Sequence, residues 1–221
     1  KKAIIDQLEK GTLYVTPSDT NMEVAQLLCE RFNQDMFRFT NSGTESTHDA
    51  IRVARGHTGR HKIIKIEGGF HGHHDEVMVS TKPSLDKAGD ALHPNTVPAT
   101  GGLSPAVIDD VSIVPYNNLE SLEDLLKTKE YAAFIVEPAM ENIGIVLPDD
   151  GYLQGVRDLT KKYGTVLIFD EVKTGITAGF NGATGYFGVV PDMVCLAKSI
   201  GGGLPLGAFG GSREVMDNIS N

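Results

Sequence analysis

Three groups of residues along the chain have types and spacing suited to chemistry. Lys198 follows the apolar run Met193-Val194-Cys195-Leu196-Ala197 and precedes Ser199-Ile200 and the triplet Gly201-Gly202-Gly203. A lysine at the end of a buried strand loses its proton more readily, because burial disfavours the ammonium, and the free amine attacks carbonyls. The same position also suits a lysine that snorkels its head to solvent. Asp170 ends a second apolar run, Thr165-Val166-Leu167-Ile168-Phe169, and leads into Glu171-Val172. Facing a crevice, that carboxylate would pair with a cationic ligand atom; as a solvated strand end it would do no more than face water. The third group, Thr40-Asn41-Ser42-Gly43-Thr44-Glu45, reads as a strand end turning into a helix start. Its free amides, the Ser42 and Thr44 hydroxyls and the helix dipole would form an anion cup, and Ser-Gly-Thr-Glu is equally a helix-capping sequence.

The combination narrows these alternatives. An anion cup, a carboxylate and a nucleophilic amine match pyridoxal 5'-phosphate, whose phosphate needs the cup, whose pyridinium nitrogen needs the acid and whose aldehyde needs the amine. Other clusters carry less. His71, His73, His74 and Asp75 crowd a glycine-rich turn without a fourth ligand at recognised spacing, so no metal is expected. Gly201-Gly202-Gly203 lacks the lysine and spacing of a nucleotide-binding loop. Arg52, Arg55, Arg60, His61 and Lys62 read as a solvated helix end.

Elements that could bring the three groups to one edge are legible as an alternation of helices and strands. Helices are expected over residues 22–32, capped by Thr20 or Asn21, and over 44–56, 119–126 and 151–163, from apolar residues at helical spacing. Strands are expected over 36–40, 62–66, 111–114, 132–136, 165–170, 193–197 and 206–210, with a further candidate at 76–79. Residues 81–110 hold four prolines and little periodicity; they read as a long loop, of the kind that often forms an active-site element. Strands apolar on both faces, separated by amphipathic helices, imply an α/β fold: three layers, α/β/α, around a mostly parallel sheet. Ligands in such sheets bind at the carboxyl ends of the strands, where Ser42, Asp170 and Lys198 all fall.

Composition bounds the reading. The chain has 221 residues, 40% apolar and 22% charged, which suits one large domain with a sizeable core. Twenty-nine acids against twenty bases give a net charge of −9, which disfavours nucleic acid as a partner. No run of about 18 apolar residues is present to span a membrane, and the first residues lack a signal-peptide core. Cys29 and Cys195 are the only two cysteines; they form no disulfide framework and suit a reducing, cytoplasmic setting. The 25 glycines exceed the average usage of about 7% and cluster in pairs and a triplet, as tight turns and close backbone approach require.

Ser42-Gly43-Thr44-Glu45, Phe70-His71-Gly72, Glu137-Pro138, Phe169-Asp170-Glu171-Val172 and Lys198-Ser199-Ile200-Gly201-Gly202-Gly203-Leu204-Pro205-Leu206-Gly207 resemble, in order, the motifs of the class III, fold-type I aminotransferases. The nearest branch is that of the glutamate-1-semialdehyde 2,1-aminomutases. The resemblance runs through nearly the whole chain and implies a pyridoxal-phosphate enzyme acting on small amino and keto compounds. It implies that Lys198 bonds the cofactor and shuttles a proton, that Asp170 keeps the pyridine nitrogen protonated, and that Ser42, Gly43 and Thr44 bind phosphate. Val172 and Phe70 would pack on opposite ring faces, Phe70 standing where the family usually has tyrosine, and His71 would sit beside the ring. Asn142 stands where many ω-amino-acid aminotransferases carry glutamate and the aminomutase branch asparagine; it would hydrogen-bond near the cofactor's 3'-oxygen or a substrate, or simply satisfy its own loop. An intermolecular transaminase is the alternative within enzymes. A catalytically dead binding or assembly relative is the alternative outside them, against which the presence of both Asp170 and Lys198 argues. The family's architecture further implies that residues 1–221 form most of the cofactor-binding large domain of a homodimer, without the N-terminal segment and small C-terminal domain. The threonine that a neighbouring subunit lends to the phosphate cup has no candidate after Lys198.

Overall fold

A computed structural model of the chain describes residues 1–219; Ser220 and Asn221, the last two residues of the expected large domain, lie outside the described residues. The strands are β1 (Met36–Thr40), β2 (Lys62–Ile66), β3 (Val111–Val114), β4 (Tyr131–Val136), β5 (Val166–Asp170), β6 (Met193–Leu196) and β7 (Gly207–Gly211). The helices are α1 (Lys2–Leu8), α2 (Asp19–Phe32), α3 (Gly43–Thr58), α4 (Leu85–Ala88), α5 (Pro105–Asp109), α6 (Leu119–Leu126), α7 (Tyr152–Tyr163), α8 (Thr174–Thr177), α9 (Gly182–Phe187) and α10 (Arg213–Met216). Strand order is β1-β7-β6-β5-β4-β2-β3. Pairing is parallel from β3 through β2, β4 and β5 to β6, and β7 alone runs antiparallel to both its neighbours, β6 and β1.

Alternation along the strands builds the three expected layers. Ile63, Ala133, Ile135, Ile168 and Cys195 face one side and pack with Ala50, Ile51 and Ala54 of α3. Ile64, Phe134, Val136, Leu167 and Phe169 face the other, against Leu122 and Leu126 of α6 and Val156 of α7. Phe32 of α2 covers Val194 and Leu196. Burying each of the larger of these aliphatic and aromatic side chains contributes about 1.5–3 kcal/mol, and β5, the central strand, and β4 beside it are buried at every position.

Several boundaries differ from expectation for local reasons. Helix α2 starts at Asp19 because Ser18, not Thr20 or Asn21, is its cap, accepting from the Asn21 amide. Residues 76–79 do not form a strand. Asp75–Val77 is a 3₁₀ turn, Val79 makes one isolated bridge to Pro98, and Ser80 at φ 45° turns the chain away before a ladder can extend. The segment 81–110 contains α4 and α5 and is otherwise irregular. The basic cluster is more engaged than a solvated helix end: Arg60 donates to the carbonyls of Tyr131, Tyr163 and Gly164, and Arg55 pairs with Glu76 at 3.0 Å. No helix among the described residues is long and apolar enough to cross a membrane.

Candidate active site

The carboxyl ends of the parallel strands meet at one edge of the sheet, and the antiparallel β7 begins there, Gly207 lying opposite Thr40. A cavity of about 320 Å³ opens at this edge. Ser42, Gly43 and Thr44 line it after β1, Phe70 and His71 after β2, Glu137 after β4, Asp170 and Val172 at the end of β5, and Lys198 after β6. None of its lining comes from residues 81–110, which the sequence reads as a long loop.

The turn after β1 is both cap and cup. Ser42 Oγ caps α3 by accepting from the Glu45 amide at 3.2 Å, and Thr44 Oγ1 accepts from the His73 amide at 3.3 Å. Each hydroxyl accepts in these bonds, so each keeps its proton for an anion. The Gly43 and Thr44 amides open a 16-residue helix and have no intrahelical acceptor. Space is closed on the other sides. A Cβ at Gly43 would stand 3.0 Å from both Val172 methyls, and one at Gly72, whose φ is +111°, would strike Thr44.

Asp170 is buried and doubly held. Its Oδ1 accepts from the Val172 amide at 3.1 Å and its Oδ2 lies 2.8 Å from His71 Nδ1. An ionised carboxylate can only accept, which assigns the proton to Nδ1 of His71. The Nε2 of the same ring is buried without a partner among the described residues. His71 thus stands behind Asp170 as well as lining the cavity. Neighbouring Glu171 points away from the cavity and staples α9, accepting from Ala183 N, Thr184 N, Thr184 Oγ1 and Thr174 Oγ1. Burial raises its pKa, against the pull of those donors.

Lys198 departs from expectation in one respect. The strand β6 ends at Leu196, and Lys198 opens a 3₁₀ turn at φ 49°, exposed rather than buried. The glycine triplet that follows lets the chain fold back, and Lys198 emerges at the rim of the cavity. Asn142 is not among the lining residues; its side-chain amide donates to the Gly68 carbonyl at 3.4 Å, as a loop asparagine would. Sequence reasoning passed over Glu137 and Lys173. Glu137, quoted only as part of a motif, is buried in the cavity wall, accepts from the Phe70 amide at 3.0 Å and lies 3.8 Å from Lys173 Nζ. The signal available for Glu137 was its position, the first residue after a fully buried strand, the same signal that marked Asp170. The histidines diverge: His73 packs edge-on against Phe70, and His74 turns to Thr47 and Glu76.

The family model for Aminotransferase class-III matches residues 1–221. The chain belongs to the class III aminotransferases. A glutamate-1-semialdehyde 2,1-aminomutase of Sulfurisphaera tokodaii is 46% identical over 221 residues, covering 100% of this chain and 51% of that protein. Among solved structures, an omega-transaminase from Sphaerobacter thermophilus superposes with a TM-score of 0.92 at 40% identity, over 97% of this chain and 49% of that one. A variant of the glutamate-1-semialdehyde aminomutase of Pseudomonas aeruginosa PAO1, in complex with PMP, superposes with a TM-score of 0.86 at 31% identity, over 98% of this chain and 46% of that one. This class III chain spans about half the length of the relatives it matches, and its layered sheet is theirs.

Proposed function

We propose that the cavity binds pyridoxal 5'-phosphate and that the protein moves an amino group on a small amino or keto compound, as a glutamate-1-semialdehyde 2,1-aminomutase does. The observation that carries this reading is the meeting of cup, acid and amine in one cavity. The donor set fits the cofactor: two unpaired helix amides and two free hydroxyl protons for a phosphate, a fixed carboxylate for a ring cation, and apolar side chains for the ring faces. The PMP in the Pseudomonas relative supports the same cofactor.

Ser42, Gly43 and Thr44 would hold the phosphate, and Val172 and Phe70 would enclose the ring. When bound, the cofactor supplies an aldehyde that holds an amine covalently and a ring that accepts the electron pair left by a departing proton. Asp170 would hold the ring-nitrogen proton, its orientation fixed by the Val172 amide and the His71 ring. Lys198 Nζ would bind the aldehyde and, once displaced by substrate, carry a proton between the substrate's α-carbon and the cofactor's former aldehyde carbon. Its exposure at the rim lets it reach an incoming ligand. The 221 residues would form most of the cofactor-binding domain of a longer homodimeric enzyme of the cytoplasm, with no role for nucleic acid or membrane.

The Sphaerobacter omega-transaminase supports a second reading, intermolecular transfer to a keto acid. A panel of small amines and amino aldehydes, assayed with and without a keto-acid acceptor, separates the two. Turnover without acceptor is the expected result; strict dependence on the acceptor assigns the transaminase, and a colourless, inactive protein overturns both.

A further inference from the structure

A partly buried polar cluster beside the cavity is not used by the reading above. His74 lies on the turn that carries Phe70 and His71 but does not line the cavity. Its Nδ1 is 3.0 Å from Glu76 Oε2, and Glu76 Oε1 takes Arg55 at 3.0 Å. Its Nε2 is 3.2 Å from the hydroxyl of Thr47, a fully buried residue of α3. That hydroxyl lies 2.5 Å from the His71 carbonyl, 3.0 Å from the Gly43 carbonyl and 3.2 Å from the Thr44 carbonyl.

One hydroxyl has one proton to share among these acceptors. Two oxygens 2.5 Å apart need that proton between them, so Thr47 donates to the His71 carbonyl. His74 Nε2 then faces a hydroxyl whose proton is committed, and must itself donate. Nδ1 faces a carboxylate, which only accepts, and must donate too. This bonding pattern is that of an imidazolium. The charged and titratable groups around the ring are Glu76 and His71 on its own turn and His48 and Arg55 on α3, with the His48 ring 5.1 Å away and itself in contact with Arg52. Burial, helped by His48 and His71 and opposed by Glu76, lowers the pKa of His74. When Nε2 gives its proton to solvent it becomes an acceptor, and the Thr47 hydroxyl is the donor beside it. Turning to Nε2 releases the His71 carbonyl.

We propose that His74 is a positioning residue: through the Thr47 hydroxyl, its protonation state decides whether the His71 backbone is held, and so how the His71 ring meets Asp170. The consequence for the cofactor rests on the function proposed above; the coupling between the histidines does not. It is therefore read first without cofactor, by long-range ¹H–¹⁵N NMR of the imidazoles across pH 5–9 in histidine-labelled protein. The expected result is an inflection in the His71 ring nitrogens at the His74 midpoint. Thr47→Ser should keep it and Thr47→Val should lose it while His74 still titrates. Glu76→Gln, which removes the anion favouring the imidazolium, should move the His74 midpoint to lower pH and carry the His71 inflection with it by the same amount. This second variant decides the matter even where Thr47→Val does not fold. A His71 signal without that inflection, or an inflection that survives Thr47→Val or stays put in Glu76→Gln, overturns the proposal. Pyridoxal phosphate is then added: its absorption band should shift with pH at the same midpoint. A protein that shows the histidine coupling but takes up no cofactor refutes the function and leaves the coupling standing.

Discussion

Asp170 ends β5 and Lys198 follows the adjacent strand β6, and the two are held in opposite ways. Asp170 is fixed from two sides by a ring and an amide, whereas Lys198 sits exposed in a left-handed backbone conformation. A non-glycine residue there costs roughly 1–2 kcal/mol, a strain that commonly marks functional positions. Because Lys198 packs on no core, Lys198→Ala should fold and should lose all borohydride-reducible attachment of pyridoxal phosphate. Peptide mapping after reduction reads this directly, and a tag on Lys173, the other lysine of the cavity wall, would reassign the role. Asp170→Asn keeps the shape and the Val172 contact but replaces an ionic acceptor by an amide. Hydrogen bonds to charged groups contribute about 1.5–3 kcal/mol, so turnover should fall roughly 10- to 100-fold with cofactor still bound. Near-normal turnover in folded Asp170→Asn protein would remove Asp170 from the mechanism.

At the scale of elements, the sheet's strands were readable because an uninterrupted apolar run bounded by glycine or charge has few other uses. Strand ends then pointed to the cavity, and Ser42, Gly43, Thr44, Phe70, His71, Asp170, Val172 and Lys198 all line it. What stayed hidden depends on irregular segments that have no period. The motif leaves Asn142 either a cofactor-side or a loop role, and the loop after β4 turns its amide to the Gly68 carbonyl. Lys65 is the sharper case. Nothing in Lys-Ile-Ile-Lys-Ile marks Lys65 as buried, but the segment around Val79 covers it, and its Nζ donates to the carbonyls of Ile66 and Val79 with no exposure at all. Burial lowers its pKa to about 7, against the attraction of Glu137 and Glu67. An unfolded lysine titrates near 10.4, so between pH 7 and that value the unfolded chain binds more protons and stability rises with pH, at up to about 1.4 kcal/mol per pH unit. That gain is lost progressively as pH falls from about 10.4 to 7, and below 7 this lysine adds no slope. Urea unfolding at pH 7, 8 and 9 should show a steeper rise for the native chain than for Lys65→Met. Taking the difference between the two cancels the raised thiol pKa values of Cys29 and Cys195, which act in the opposite sense near the top of this range. Equal slopes would mean that Lys65 keeps its charge in the fold.

For the whole molecule, the distribution of apolar surface matters more than its amount. Scattered exposed hydrophobic residues are ordinary, but contiguous ones mark surfaces that associate. Ile145, Leu147 and Tyr186 are 80%, 59% and 71% exposed and line one groove of about 260 Å³ beside α8 and α9. Phe180, in the connection between those two helices, is 77% exposed. Leu13 and Val15, between α1 and α2, are almost wholly exposed, and α1 buries none of its residues. These surfaces flank a fold whose core is otherwise closed; Glu141 lines the groove and Arg31 lies over Phe180, and a net charge of −9, screened beyond about 8 Å at physiological salt, leaves the exposed apolar side chains able to meet. The 221-residue chain should therefore self-associate, its mass by light scattering rising with concentration and changing little with salt, as apolar contacts do. Ile145→Lys places a charge in the groove and should shift the equilibrium toward monomer without altering the unfolding midpoint, since the side chain has little to lose in the folded monomer. A monodisperse monomer at all concentrations, or an Ile145→Lys chain that associates as strongly as its parent, would place the contact surface elsewhere.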